Sequence, residues 1–345
     1  MIASILLLSG VANAQDLEPS LLTQVWATAF DQDVNEQSDP AGYGDPEDDQ
    51  GFKLRRARAG FSGKDGAFYY GMVFGMSSGA DGLTDSTGTV GVVDAYAGWE
   101  IHPMFQMTAG VQKVPFGREN LLASAELVFQ ERSISSNHIG PGRELGLLGA
   151  TSASGVDIQV GLFNGNGSIL GDDNQGLMYA ARAEYTMGQR EDAQTTFGVV
   201  DSPVVGIGTN LFYDQGTATD TLAYGADLLF RIKGLALLAE VHMASLSAGD
   251  STVDVPDVFA DTSRLGAVVQ AGWTVGLFEP AIRAEIYDDD RGAEDNGDVL
   301  KAVAGVTAHF SEDRVRAGMA YVHRQELGGQ SVANDTARLF FQMNY

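Results

Sequence analysis

The sequence has no cysteine. Disulfides, thiolate metal sites, iron–sulfur clusters and cysteine nucleophiles are excluded together. Basic residues are few: 21 Lys and Arg stand against 46 Asp and Glu, for a formal net charge of -25 over 345 residues. A chain this acidic has nothing in bulk to neutralise phosphates, so no nucleic-acid partner is expected. Long apolar runs are missing as well. No stretch reaches the roughly 18 residues that a membrane-spanning helix needs. Proline is scarce at 9 residues, while glycine is plentiful at 43. The hydrophobic share of 44% is too high for a disordered acidic chain. Two classes survive: a soluble acidic β-protein, or a transmembrane β-barrel whose inward and outward residues alternate and average out in hydropathy.

What is present begins with a short apolar run, Ile2 to Leu8, followed by Ala12-Asn13-Ala14. That pattern reads as a secretory signal peptide over 1–14, cleaved before Gln15. Residues 15–345 are then expected to form one domain. Beyond Gln15 the dominant period is two. Phe68, Tyr70, Met72, Phe74 and Met76 alternate with Tyr69, Gly71, Val73 and Gly75, and Leu265, Ala267, Val269, Ala271 and Trp273 alternate with Arg264, Gly266, Val268, Gln270 and Gly272. Such segments place one face in an apolar medium and the other in a wet one.

The pattern predicts sixteen strands, near 21–31, 51–63, 67–78, 90–101, 104–113, 142–151, 155–164, 176–187, 204–214, 220–232, 235–246, 263–275, 277–287, 298–310, 314–324 and 336–345. Their length suits a tilted bilayer crossing. The connections between them are alternately short and long, which a soluble sandwich has no reason to show. Residues 188–203 and 215–219 break the alternation. The last strand ends on an aromatic residue, Tyr345, as outer-membrane barrels do. Trp26, Trp99 and Trp273 fall near strand ends and are expected in interface girdles.

Charge is sorted by place. Loop 31–50 carries Asp31, Asp33, Glu36, Asp39, Asp45, Glu47, Asp48 and Asp49 with no Lys or Arg. Loops 247–262 and 288–298 are acidic too. They read as solvated outer loops, with loose cations able to bridge them to anionic lipid or lipopolysaccharide. The base lies on the strands. Arg56, Arg58, Arg143, Arg182, Arg264, Arg283, Arg314, Arg316 and Arg338 are expected to face the lumen, because a charge on the lipid side costs about 2–4 kcal/mol at mid-bilayer. In the strand Gly51-Phe-Lys-Leu-Arg-Arg-Ala-Arg-Ala-Gly-Phe61 the apolar parity changes midway, which predicts a bulge near Arg55–Arg56. An arginine wall suits oxyanions, since guanidinium stays charged and offers forked donors. The same arginines could instead pair with Glu100, Glu144, Glu184, Glu240 and Glu285.

These residues resemble the phosphate-selective porin O and P family. The likeness rests on the arginine strand 51–61, on Asp94-Ala-Tyr96, and on Val111-Gln-Lys-Val-Pro-Phe-Gly-Arg118. It continues through Phe129-Gln-Glu-Arg-Ser133, Gly142-Arg-Glu-Leu-Gly146 and Val160-Gly-Leu-Phe-Asn-Gly165, covering about 50–190. The resemblance implies an all-β, sixteen-stranded antiparallel barrel, assembled as a homotrimer, with its third long loop folded into the lumen. That makes 114–141 the constriction loop, with Lys113, Pro115, Phe116, Gly117 and Glu131 as its candidate residues. Arg56, Arg58, Arg118 and Arg132 match the family's motif positions. Lys113 stands alone where the family has a lysine cluster.

The expected function is passive diffusion of small solutes across the outer membrane, sharpened to anions such as phosphate. A general or cation-favouring porin and a non-conducting structural or adhesive barrel are the alternatives. An enzyme is not expected. His102, His138, His242, His309 and His323 stand apart, and neither H-E-x-x-H nor G-x-S-x-G occurs. Gly165-Asn-Gly167 and Gly206-Ile-Gly208 have no following helix to make a dinucleotide loop. No cofactor, metal or catalytic residue is assigned.

Overall fold

A computed structural model describes residues 16–30, 51–77, 90–165, 167, 176–216, 219–249, 261–295, 297–311, 313–329, 331 and 334–345. Alternating apolar and polar side chains hold the chain extended wherever one face meets lipid and the other meets water. The strands are β1 (Asp16–Phe30), β2 (Gly51–Asp65), β3 (Phe68–Ser77), β4 (Gly91–His102), β5 (Phe105–Lys113), β6 (Arg143–Ala153), β7 (Val156–Phe163) and β8 (Met178–Met187). They continue as β9 (Val200–Gln215), β10 (Thr219–Lys233), β11 (Leu235–Ala248), β12 (Thr262–Trp273), β13 (Phe278–Asp288), β14 (Val299–Phe310), β15 (Val315–Glu326) and β16 (Thr336–Asn344). Each pairs antiparallel with its sequence neighbours, and β1 pairs with β16 to close the barrel.

All sixteen expected segments become strands. The starts of β1 and β9 lie earlier than the pattern indicated, and proline is the reason. Pro19 sits opposite Phe61 of β2, below the point where pairing with β16 begins at Leu22. A missing N–H on that unpaired side costs no ladder bond. Pro203 lies in the break of the β9–β10 ladder, between the Arg231–Val204 and Lys233–Val200 pairs.

At the end of the barrel that carries Asp16 and Tyr345 the connections are short: 66–67, 103–104, 154–155, 234, 274–277 and 311–314. Ser154 and Gly155 both have positive φ, at 50° and 84°, as a two-residue hairpin turn of the right twist requires. The opposite end carries the longer loops. Connections 188–199 and 216–218 are the exceptions, as the sequence pattern indicates. Residues 1–14, loop 31–50 and most of loop 247–262 lie outside the described residues.

The outer wall is apolar. Val160, Val269, Ile282, Met319 and Leu339 are each more than half exposed. Trp99 and Trp273 stand exposed at the short-turn rim, with Phe68 stacked on Trp99 at 5.9 Å. Trp26 does not join that girdle. It is 0% exposed and faces inward, donating Nε1–H to Gln130 Oε1 at 2.7 Å. Its ring carries Arg338 at 4.0 Å and Arg55 at 5.3 Å. Proximity to a strand end was the wrong guide; the side of the strand decides.

The inner wall is not uniformly polar, and this locates the filling of the lumen. Val204, Leu229 and Leu238 point inward and are buried under Ala193. Ala281, Val303, Ala320 and Val322 point inward and are buried against Val128, Phe129 and Phe197. Apolar side chains gain nothing in a water-filled bore. The lumen is therefore packed along β9–β15, with a further apolar patch of Phe163, Met178 and Ala180 under Phe116, and is more polar along β3–β5.

Among the outer loops, 289–298 gives a pH-dependent expectation. Burial, and next the charge of Asp288, push the Asp298 carboxyl up to about 6. Its ordinary value is about 3.9. The folded loop thus prefers protonated Asp298, so its stability is highest below that ordinary value and falls as pH rises through about 6. Hydrogen exchange in 289–298, corrected for intrinsic rates, should show more protection at pH 5 than at pH 7, and Asp298→Asn should abolish the difference.

Candidate solute path and constriction loop

The connection from β5 to β6 turns inward. It holds α1 (Arg118–Leu121), a 3-10 turn at Ser124–Glu126 and α2 (Ile134–His138), capped by the Ser133 hydroxyl accepting from Ser136 N–H at 3.3 Å. The loop enters through Val114, Pro115 and Phe116, all buried. Phe116 packs edge-on to Phe212 and tilted on His242, both at 5.0 Å. Gly117 makes the turn that follows with φ 65°, and a Cβ there would stand 3.0 Å from His242 Nε2.

Polar groups then fix the loop at four places. Arg118 Nε–H donates to Asp227 Oδ1 at 2.8 Å, and its Nη2 lies 2.9 Å from Glu184 Oε1. Arg182 shares both acids, at 2.5 Å and 2.7 Å. Gly206 and Gly208 lie beneath these guanidiniums; a Cβ on Gly208 would stand 2.4 Å from Arg182 Nη2. Those strand glycines make room for the cluster.

Glu119 is the second anchor. Its N–H donates to Glu240 Oε1 at 2.8 Å, and its carboxylate accepts from Ser133 N–H at 2.8 Å and from Ser133 Oγ–H at 2.6 Å. Arg132 ties the loop to itself, donating to the carbonyls of Glu119 and Leu122, both at 2.9 Å. Glu131 is the third anchor, at 2.8 Å from Arg55 Nε and 3.1 Å from Arg56 Nη2. The β2 register shifts at this point, Gln24 facing Arg56 and Val25 facing Leu54. The bulge therefore sends Arg55 and Arg56 inward together. Arg283 bridges the second and third anchors, reaching the Glu131 carbonyl at 2.8 Å, Glu119 Oε1 at 3.3 Å and Glu285 Oε1 at 2.6 Å. At the fourth anchor Arg316 donates to the carbonyls of Ala125 and Leu127, at 2.6 and 2.9 Å. A charged donor on a buried carbonyl is worth about 1.5–3 kcal/mol.

So Arg56, Arg118, Arg132, Arg182, Arg283 and Arg316 are buried in the bonds that seat the loop. Three predicted residues stand at the loop's entry. Arg143 lies at the mouth of β6, paired with Asp94 at 2.9 Å. Arg58 is half-buried on the lumenal side of β2. Lys113 ends β5 and donates to the carbonyls of Leu121 and Leu122, at 2.9 and 2.8 Å. It lies among Arg132, Arg143 and Arg58, with Asp94 beside them. Arg314 departs from the expected lumenal set. It stands in the exposed turn 311–314 with its guanidinium 5.7 Å over the Tyr345 ring. Asp313 has φ 66°, which ends the alternation before β15 starts.

The β3–β5 wall is lined by polar groups on flat ground. Tyr69 and Tyr96 lie across Gly98 and Gly71, where a Cβ would come within 2.0 and 2.5 Å of the rings. The Tyr69 hydroxyl is held by Thr108 Oγ1 at 2.6 Å. A cavity of about 420 Å³ runs between this wall and the loop, bounded by Gln112, Lys113, Leu122 and Gln159. Among the expected pairings, Arg182–Glu184 and Arg283–Glu285 form, while Glu100 takes Lys64 at 2.7 Å. Glu119 and Asp227 are not singled out by the sequence, and Arg55, expected at the bulge, is not among the arginines expected to face the lumen. A parity count along β10 would have placed Asp227 on the lumenal face.

A closed sixteen-stranded barrel with an apolar outer wall and a lumen narrowed by an inward loop defines a bacterial outer-membrane porin. The family model described as phosphate-selective porin O and P matches residues 28–214, and the chain belongs to that family. No curated protein sequence matches it. Solved porin structures share its fold at low identity. The anion-selective porin from Comamonas acidovorans is 12% identical with a TM-score of 0.64, covering 96% of this chain and 99% of that one. OmpT of Vibrio cholerae with loop L8 deleted is 10% identical with a TM-score of 0.63, covering 96% and 100%. The outer membrane channel DcaP of Acinetobacter baumannii is 15% identical with a TM-score of 0.57, covering 96% and 97%.

Proposed function

We propose that this porin passes small anions, phosphate among them, along the β2–β8 side of its lumen. The observation that carries the reading is the cluster of Arg58, Lys113, Arg132 and Arg143 around the loop's entry, with Asp94 as the acid set against it. Fixed positive charge at the narrow point lowers the cost of stripping water from an anion there. The family's description supplies the warrant for phosphate. The acid of the outer loops opposes entry only over a screening length of about 8 Å in physiological salt.

A cation-favouring porin is the second reading, favoured by the internal neutralisation of Arg118 and Arg182 by Asp227 and Glu184. Reversal potentials across a planar bilayer in a KCl gradient separate the two. The expected sign is that of chloride passage, with millimolar phosphate reducing the chloride current; a potassium-favouring sign removes the anion reading. We further propose a homotrimer in the membrane, its acidic outer loops facing lipopolysaccharide, to be tested by cross-linking in native outer membranes.

A further inference from the structure

Residues 188–199, the long exception among the short turns, hold a 3-10 turn at Glu191–Gln194. The segment folds up into the bore. Ala193 is 1% exposed and covers Val204, Leu229 and Leu238. Phe197 lies against the Arg316 guanidinium at 4.2 Å and the His309 ring at 5.3 Å. Arg231 donates to the carbonyls of Asp192, Phe197 and Gly198. The segment also grips the inward loop from below. Thr196 N–H donates to the Glu126 carbonyl at 3.0 Å, and Thr196 Oγ1 accepts from Val128 N–H at 2.8 Å.

These contacts stack two chain segments, one entering from each end of the barrel, over the β9–β15 wall. On the other side, the cavity of about 420 Å³ has Lys113 and Leu122 on one flank and Arg190, Ala193 and Gln194 on the other. A second cavity, of about 510 Å³, continues towards the short-turn end and shares Asp157 and Gln159 with the first.

We propose that 188–199 is a second constriction element, which with the inward loop confines solutes to the β2–β8 side and lines their exit with Arg190 and Gln194. This rests on the chain being a channel, not on the charge of its solute. The segment's docking on apolar lumenal residues explains why those residues are there. Arg190 is held at Asp157 and Ser152, which keeps its guanidinium at the cavity edge.

The absence of native cysteine makes the test clean. Gln194→Cys, reacted from the short-turn side with a bulky methanethiosulfonate, should lose about half or more of its single-channel conductance. Val199→Cys, 65% exposed at the rim, should keep its conductance after the same reaction. Mass-verified labelling of Gln194→Cys with unchanged conductance overturns the proposal. Replacing 189–198 by Asn-Gly should raise conductance about twofold, and an inserted variant with wild-type conductance overturns it too. The sign of ion preference, read on the same bilayers, bears only on the anion reading.

Discussion

Glu131→Ala should release the middle of the inward loop while leaving the barrel closed. Glu131 is buried and neutralises two guanidiniums, at 2.8 and 3.1 Å. Removing one partner of a buried ion pair costs about 3–5 kcal/mol, because the remaining charge is stranded away from water. Here two charges are stranded, beside Trp26 and Gln24. The barrel's own ladder does not depend on them. The cost falls on the loop, which leaves its seat to let Arg55 and Arg56 be hydrated. Trypsin should then cut after Arg118 or Arg132, which are buried in the intact protein. Single-channel records should become noisier and larger, while the heat-modified gel shift of the barrel stays. Unchanged trypsin resistance would show that Arg118, Arg283 and Arg316 suffice to hold the loop. Glu131→Gln should fall between the two, since it keeps acceptor geometry and loses the charge.

The second large effect is expected at Lys113. Lys113→Glu replaces the centre of the basic cluster by a carboxylate, at a point flanked by Arg58, Arg132 and Arg143. The reversal potential in a KCl gradient should move towards potassium by tens of millivolts, on the order of the effect of a charge at a narrow dielectric-walled bore. Lys113→Gln should move it about half as far. The shift should shrink in molar salt, where the screening length is about 3 Å. Arg56→Gln offers the contrast: Arg56 is fully buried against Glu131 and Gln130, so it should act through loop position, changing noise before ion preference. An equal ion-preference shift in both variants would mean that Lys113 acts through the loop's position, as Arg56 does, and not on the solute path.

The strand pattern was legible because lipid enforces it. Every outward residue must be apolar, so sixteen segments declare themselves, and the bulge at Arg55 shows as a parity break between Leu54 and Ala57. Trp26 was misread for the same reason: its nearness to a strand end counted for more than its side of the strand. The lumen's filling was written in the sequence too, in Val204, Leu229, Leu238, Val303 and Val322. Those residues sit on the parity that a water-filled bore would make polar. What periodicity does not carry is partner choice. Nothing in the spacing tells that Arg118 meets Asp227, 109 residues away, or that Arg316 meets loop carbonyls 189 and 191 residues away. Most of the arginines expected as lining also fasten the loop, and Arg118 and Arg182 do both, since they bound the cavity of about 420 Å³ as well; Tyr69 and Gln112 carry no charge by which the sequence could mark them.

The fourth anchor sits at the seam of the ring. Gln24 of β1, Arg316 of β15 and Gln342 of β16 converge on 124–127: Gln342 donates to the Ala125 carbonyl at 3.2 Å, and Gln24 donates to Gln342 Oε1 at 2.8 Å. The first and last strands thus meet over a stretch of chain from the middle of the sequence. Zipping β1 to β16 and seating the loop share the same donors and acceptors, so each lowers the cost of the other. A barrel that closes on an unseated loop leaves Arg316 and Gln342 facing an empty bore. Loosening the loop at 124–127 therefore also loosens the joint between the first and last strands.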